Sequence, residues 1–313
     1  MLAYAARRVL ATIPVMLIVA LFVFSLLYIA PGDPAAIIAG DQASPADIIR
    51  IRESLGLDRP FVVRFGEWLW HMLHGDLGVS IFTNLPVTQM IAQRIEPTLS
   101  LMVFSLILSV SIGVPAGVLA AWRHGGWLDR FVMMTAVLGF SVPVFVVGYV
   151  LAYVFALQLE WLPVQGFVPI ESGFWPFVQT LILPSVALGG AYIAIIARIT
   201  RATMMEVLSQ DYVRTAKAKG VGQTTILLVH ALKNAAVPIV TVIGIGVGVL
   251  IGGAVVTESV FAIPGIGRLT VDAILRRDYP VIQGVVLLLS FSYVIVNLIV
   301  DLSYTLFDPR IRY

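Results

Sequence analysis

The residues able to do chemistry are few, and they gather in one stretch. Gln210 to Pro238 reads QDYVRTAKAKGVGQTTILLVHALKNAAVP and holds all three lysines of the chain, Lys217, Lys219 and Lys233, beside Asp211 and Arg214. None of these lysines precedes Ser or Thr, so there is no G-x-x-x-x-G-K-[ST] phosphate loop and the chain cannot bind ATP in that way. His71 and His74, at i and i+3 with Asp76 following, could meet a metal ion on one helix face. Two histidines without a third spaced ligand suit a solvated surface pair better. His124 and His230 fit local hydrogen bonds. The absence of cysteine excludes disulfides, thiolate catalysis and cysteine metal sites. No nucleophile constellation occurs, and the basic residues are too scattered for nucleic acid. No catalytic residue and no metal site is expected.

The elements that must carry these residues are set by hydropathy. The chain is 59% hydrophobic and 12% charged with a mean hydropathy of +0.96, against about 45–50% and about 25% for soluble domains. Six runs reach the roughly 20 apolar residues needed to cross a bilayer: Val9–Ala30, Thr98–Trp122, Phe131–Leu159, Phe174–Ala197, Ala235–Thr257 and Tyr279–Val300. None contains Asp, Glu, Lys or Arg. The fold class is therefore all-α, polytopic and membrane-embedded, with six transmembrane helices. Proton- or sodium-coupled carriers generally need ionisable groups near the midplane, which disfavours that class here. Asp301 falls just past the last run and reads as interfacial.

Charge sets the orientation. With both termini inside, segments 1–8, 123–130, 198–234 and 301–313 carry Arg7, Arg8, Arg123, Arg130, Arg198, Arg201, Arg214, Lys217, Lys219, Lys233, Arg310 and Arg312. The short outside loops carry only Arg268, Arg276 and Arg277, which favours N-in, C-in. Arg7 and Arg8 precede an apolar run too long for a signal peptide, so a retained helix is expected. Three divisions follow. Residues 1–97 are a helix plus an extracytoplasmic loop, 98–303 a five-helix transmembrane domain with the cytoplasmic loop 198–234, and 304–313 a tail. Within the outside loop, Pro45-Ala46-Asp47 after Ser44 opens an amphipathic helix with Ile48, Ile49, Ile51 and Leu55. Phe61 to Leu73 reads as a second, with Phe65, Trp68, Leu69 and Met72 apolar. Pro115, Pro143, Pro184 and Pro238 favour kinks. Gly113 and Gly117, and Gly244, Gly248 and Gly252, recur every four residues and mark faces for close helix packing, within this chain or against another subunit.

The polar stretch between the fourth and fifth runs cannot sit in hydrocarbon, where each Lys or Arg costs about 2.5–3.5 kcal/mol. Its pattern predicts a helix from Met204, with Met205, Leu208, Tyr212, Thr215 and Ala216 near one face, broken at Gly220 and Gly222. A second helix runs from Thr224 through Asn234 into the fifth run. Such a segment can dock in a partner's groove or lie on anionic lipid, and composition alone leaves both open.

Here the residues resemble a family. Arg214-Thr215-Ala216, three residues and Gly220 are similar to the EAA-x-x-x-G loop of ABC importer permeases, with Arg214 in place of Glu and Thr215 in place of the first Ala. The form D-Y-V-R-T-A-x-A-K-G with H-A-L-x-N-A-x-x-P downstream resembles the dipeptide/oligopeptide/nickel importers. Pro31-Gly32-Asp33-Pro34, Leu55-Gly56-Leu57-Asp58-Arg59-Pro60 and Gly75-Asp76-Leu77-Gly78-Val79-Ser80 resemble their B-type permease. So do Thr257-Glu258-Ser259-Val260-Phe261, Pro264-Gly265-Ile266-Gly267 and Asp308-Pro309-Arg310-Ile311-Arg312-Tyr313. The resemblance implies a type I ABC importer permease in the bacterial inner membrane, one of a pair with a C-type permease. Two P-loop ATPase subunits and an extracytoplasmic substrate-binding protein would complete the importer. ATP and Mg would be bound by the ATPase subunits, with no cofactor in this chain. Asp211, Tyr212, Arg214, Thr215, Ala216, Lys217 and Gly220 are then the expected ATPase-coupling contact. The small residues would allow insertion, Arg214 and Lys217 would pair with acidic groups, and Gly220 would set the bend. The loops 31–97 and 257–280 would meet the binding protein. A stand-alone channel or carrier, and a scaffold without transport, remain as alternatives.

Overall fold

The computed structural model describes residues 2–29, 35–36, 44–54 and 56–307. Among them regular structure is helical, with an isolated bridge between Val79 and Pro86. The helices are α1 (Leu2–Ile29), α2 (Pro45–Ser54), α3 (Phe61–Leu73), α4 (Val87–Trp122), α5 (Trp127–Ser141) and α6 (Val144–Leu151). They continue with α7 (Phe174–Leu208), α8 (Asp211–Ala218), α9 (Gln223–Val260), α10 (Ile266–Arg276) and α11 (Tyr279–Phe307). A wider π-helical turn extends α6 at Ala152–Gln158, and another lies within α9 at Ile226–Ala231. Leu55 and the motifs at Pro31–Pro34 and Asp308–Tyr313 fall outside the described residues.

Five helices, α1, α4, α7, α9 and α11, are long and apolar enough to cross a membrane. The remaining expected span, Phe131–Leu159, is not one straight helix: α5 and α6 meet at 101°. Pro143 supplies the reason. It has no N–H to continue the ladder, and it pushes the preceding residue out of the helical region; Val142 sits at φ −94°, ψ 126°. Counted as one bent span, the pair brings the total to six. Pro115, Pro184 and Pro238 instead lie inside unbroken helices, as spanning helices allow when neighbouring groups re-satisfy the freed carbonyls.

The chain divides into two compact units, one built on Glu96–Arg268 with the end of α11, the other on Ala6–Ile95 with Leu269–Val294. In the second, α3 lays Phe65, Trp68, Leu69 and Met72 against Ala20, Val23 and Leu287. This is the apolar set its periodicity predicts. Phe24 is the hub of that face, with the ring centroids of Phe61 and Trp68 both 5.3 Å away. Asp278 is buried; it accepts the Ser80 hydroxyl at 2.5 Å and the Ile81 N–H at 3.2 Å, which pins the 79–86 loop.

In the first unit α7 is central, with 67% of its most apolar window buried against 33% in α4 and 28% in α9. It packs on α5, α6 and α9. Tyr192 is the fixed point of the α7–α9 contact. Its hydroxyl lies 2.5 Å from the Val242 carbonyl oxygen and 2.8 Å from that of Ile243, and its ring fills a notch at Gly246, where a Cβ would fall 1.5 Å from the ring. The glycines spaced by four fare unequally. Cβ atoms at Gly113 and Gly117 would come within 2.9 Å of Ile196 and 2.5 Å of the Ala197 carbonyl, and one at Gly244 within 2.2 Å of Val300. Gly248 shares α9 with Gly244, but no atom lies within 4 Å of a Cβ placed at Gly252. The tightest glycine, Gly246, is outside the four-residue pattern.

Glu258, near the end of α9, is fully buried. Its carboxylate accepts the Thr98 hydroxyl at 2.6 Å and the Arg268 N–H at 2.8 Å. Pro264-Gly265-Ile266-Gly267 offers no side chain to cap α10. The Glu258 carboxylate stands in for that cap, at a helix end where the dipole favours an anion.

Two stability outcomes are expected in thermal melts of the detergent-solubilised protein. Gly246→Ala overpacks the notch and costs about 1–3 kcal/mol or more, while Gly252→Ala stays within about 0.5 kcal/mol of wild type. Replacing Tyr192 by Leu in the Gly246→Ala background recovers part of the loss. Equal melting of the two glycine variants would show that the notch does not limit the α7–α9 contact. Glu258→Ala forfeits charge-assisted bonds of about 1.5–3 kcal/mol each and speeds tryptic cleavage after Arg268. Unchanged cleavage would show that the carboxylate does not hold the start of α10.

Candidate functional site

The residues singled out in the sequence lie on the hairpin between α7 and α9. A single helix from Met204 to Gly220 is expected from the sequence; the structure breaks it at Ser209–Gln210. The Ser209 hydroxyl donates to the Glu206 carbonyl at 2.7 Å and closes the last turn of α7, while Gln210 is extended at φ −69°, ψ 150°. Asp211 then opens α8 in the first turn, where an acid is favoured by the helix dipole. The helix stops at Gly220, in the left-handed region at φ +78°. The Gly220 N–H donates to the Lys217 carbonyl at 3.0 Å and the Val221 N–H to the Ala216 carbonyl at 3.1 Å, a glycine cap of the Schellman kind. Gly222 is no second break of that type; it lies at φ −59° and precedes α9.

Only one side of α8 is held. Val213 is fully buried and Ala216 half-buried, and α8 rests on the π-helical turn Ile226–Ala231. Tyr212 is tied to α9, since the Asn234 amide donates to its hydroxyl at 3.0 Å and to the His230 carbonyl at 2.6 Å. Asp211, Arg214, Thr215, Lys217, Ala218 and Lys219 are exposed, and the Arg214–Asp211 contact of 3.4 Å is an open surface pair worth little. The expected stripe of Met205, Leu208, Tyr212, Thr215 and Ala216 assumes an unbroken helix. After the turn at Gln210 the phase resets, and the inward positions become Val213 and Ala216, three apart.

Beneath the hairpin, Met204 of α7, Val118 and Ala121 of α4, and Leu227, Ala231 and Ala235 of α9 form one buried cluster. Beside it lies a charge cluster. Arg201 Nε donates to Asp129 Oδ1 at 2.5 Å and Nη2 to Oδ2 at 2.8 Å, and the Gly125 N–H reaches Oδ2 at 2.9 Å. His124 Nδ1 lies 3.1 Å from Arg201 Nη2 and 3.3 Å from Asp129 Oδ2. The Asp129 side chain is only 5% exposed. Removing one partner of such a buried pair leaves an uncompensated charge, typically at about 3–5 kcal/mol. Arg201 is in the basic set read from the sequence, but Asp129 is not singled out there. Its signal was an acid inside a short, otherwise basic turn.

His71 and His74 are engaged separately. His71 Nδ1 is 3.5 Å from Asp76 Oδ2, and His74 Nδ1 is 2.8 Å from the Trp70 carbonyl oxygen. Among the described residues no group of three or more His, Cys, Asp or Glu side chains is placed to hold a metal ion. What the site offers is a short basic helix, exposed on one side and held on the other by the π-helical turn and Asn234 of α9.

Known proteins resemble this chain in sequence and in fold. Residues 113–313 match the family described as binding-protein-dependent transport system inner membrane component, and residues 1–102 match its N-terminal companion. A probable peptide ABC transporter permease protein, y4tP, of Sinorhizobium fredii is 57% identical over 99% of each chain. The dipeptide transport system permease protein DppB of Alkalihalophilus pseudofirmus is 43% identical over the full length of both. The glutathione transport system permease protein GsiC of Salmonella typhimurium is 45% identical over the same extent. In fold, the chain is similar to the MetNI methionine ABC transporter in an inward facing conformation, with a TM-score of 0.60 and 18% identity over 70% of this chain and 97% of that one. The protein is thus a multi-pass inner-membrane permease subunit, and it belongs to the family of binding-protein-dependent transport system inner membrane components.

Proposed function

We propose that this chain forms half of a translocation path for di- or oligopeptides, and that α8 is where ATPase subunits drive it. The observation that carries the reading is the one-sided anchoring of α8: Val213 and Ala216 face inward while Arg214, Lys217 and Lys219 are presented to solvent. The relatives named for peptides, dipeptides and glutathione, itself a small peptide, support the substrate class. The engine is supplied in trans, because no P-loop lysine exists in this sequence. Two P-loop ATPase subunits would bind ATP and Mg, a C-type permease would complete the path, and an extracytoplasmic binding protein would deliver the peptide.

The mechanism is alternating access. A ligand shifts a conformational equilibrium only by its differential affinity for the two states. The groove that receives α8 must therefore grip it differently when the ATPase pair is closed. Asp211, Tyr212, Arg214, Thr215, Ala216, Lys217 and Gly220 take part in different ways. Arg214 and Lys217 meet acidic groups of the groove, and Tyr212 braces α8 against Asn234. Thr215 shares the exposed face, Asp211 and Gly220 fix its two ends, and the small Ala216 lets it seat closely on its support. N-in, C-in topology puts this hairpin and the 123–126 turn on the ATPase side.

The test is charge reversal on the outward face. Arg214→Glu with Lys217→Glu lowers peptide uptake by at least about tenfold, equivalent to about 1.4 kcal/mol of lost contact, and strips ATPase subunits from the purified complex. Membrane insertion of the variant stays normal, because neither side chain is buried. Wild-type uptake and full ATPase recovery in that variant would reject α8 as the contact.

A further inference from the structure

We infer that the Asp129–Arg201 pair is a positioning element that carries movement of the 209–222 hairpin into the turn between α4 and α5. The inference rests on α8 being the point where force enters. Close packing, as in the cluster of Met204, Val118 and Ala121, transmits strain but does not by itself fix a direction. The ion pair cannot slide. The guanidinium meets the carboxylate as a two-pronged fork, at 2.5 and 2.8 Å, and the Gly125 N–H also donates to the second carboxylate oxygen at 2.9 Å. A fork of this kind fixes direction as well as distance. The carboxylate is buried, so the pair is little screened by salt.

Its place suits the task. Arg201 lies seven residues before the end of α7, about 10 Å along the helix from where the hairpin begins. One turn back, α4 presses on α7 without slack: a Cβ at Gly117 would lie 2.5 Å from the Ala197 carbonyl and 3.0 Å from the Arg201 nitrogen. Asp129 sits in the first turn of α5, the helix that precedes the break at Pro143. A displacement of α8 thus reaches α7, passes through the fork to the start of α5, and arrives at the bent span. Neither partner is needed for the fold of α8 itself, which is set by Val213, Asn234 and the Gly220 cap.

The experiment uses the assembled transporter in proteoliposomes and reads the stimulation of ATP hydrolysis by its binding protein, per assembled complex. Asp129→Asn and Arg201→Met are expected to retain unstimulated hydrolysis and to lose stimulation by roughly fivefold or more, the lower end of ordinary coupling free energies. Asp129→Glu keeps the charge and restores part of it. A pair that only stabilises would lower the yield or melting temperature and leave each assembled complex stimulated as in wild type; that result overturns the inference. If Asp129→Asn does not assemble, Arg201→Lys carries the test, since it keeps the charge but loses the fork. Reduced stimulation supports the positioning role, and full stimulation overturns it. Failure of the α8 reading is distinguishable, because Arg214→Glu with Lys217→Glu would then remain stimulated. If that variant loses its ATPase subunits while the Asp129 and Arg201 variants behave as wild type, only the present inference falls.

Discussion

The phenol of Tyr192, wedged into the notch at Gly246, sets how α7 and α9 lie against each other, and the hairpin bearing α8 hangs from those two helices. The ring makes the limit steric, since the helices cannot close further without expelling it. The hydroxyl makes it directional, because it is held on two backbone carbonyls of α9. From Tyr192 to Leu208 is about 24 Å of continuous helix. A push on the hairpin is therefore met by a braced pair of rods, and local bending takes up little of it.

Charge within the helical unit follows the same economy of motion. Asp129 and Glu258 are both buried, and both are satisfied by donors with fixed directions: a guanidinium and a backbone N–H for one, a hydroxyl and a backbone N–H for the other. Asp129 ties the 123–126 turn to Arg201 in the last two turns of α7, and Glu258 ties the end of α9 to the start of α10. Smooth apolar middles suit helices that face lipid, where an unpaired polar group would be costly.

Much of this was legible in the sequence, for physical reasons that differ by element. The long runs were plain because a bilayer demands about 20 apolar residues whatever their order. The α3 face was plain because Phe65, Trp68, Leu69 and Met72 keep helical spacing. The stop at Gly220 was plain because few other residues take a positive φ easily. The break at Ser209–Gln210 was hidden, since a serine turning back on its own helix leaves the apolar period looking intact. Val213 was missed as a consequence. Gly246 was missed because its reason is one aromatic ring 54 residues away in sequence, which no spacing rule records. The bend at Pro143 was indistinguishable from Pro184, which stays helical; neighbours decide that, and neighbours are tertiary.

The right-angled join at Val142–Pro143 has one more consequence. A helix that stops within an apolar stretch leaves its last carbonyls without helical partners, and the Pro143 carbonyl takes up the Val146 and Val147 amides but not those of Val144 and Phe145. Oil cannot answer them. Wherever that elbow points, it must meet protein or moisture, so the bilayer's own chemistry singles out this corner as a stretch of backbone that the acyl chains are not allowed to touch.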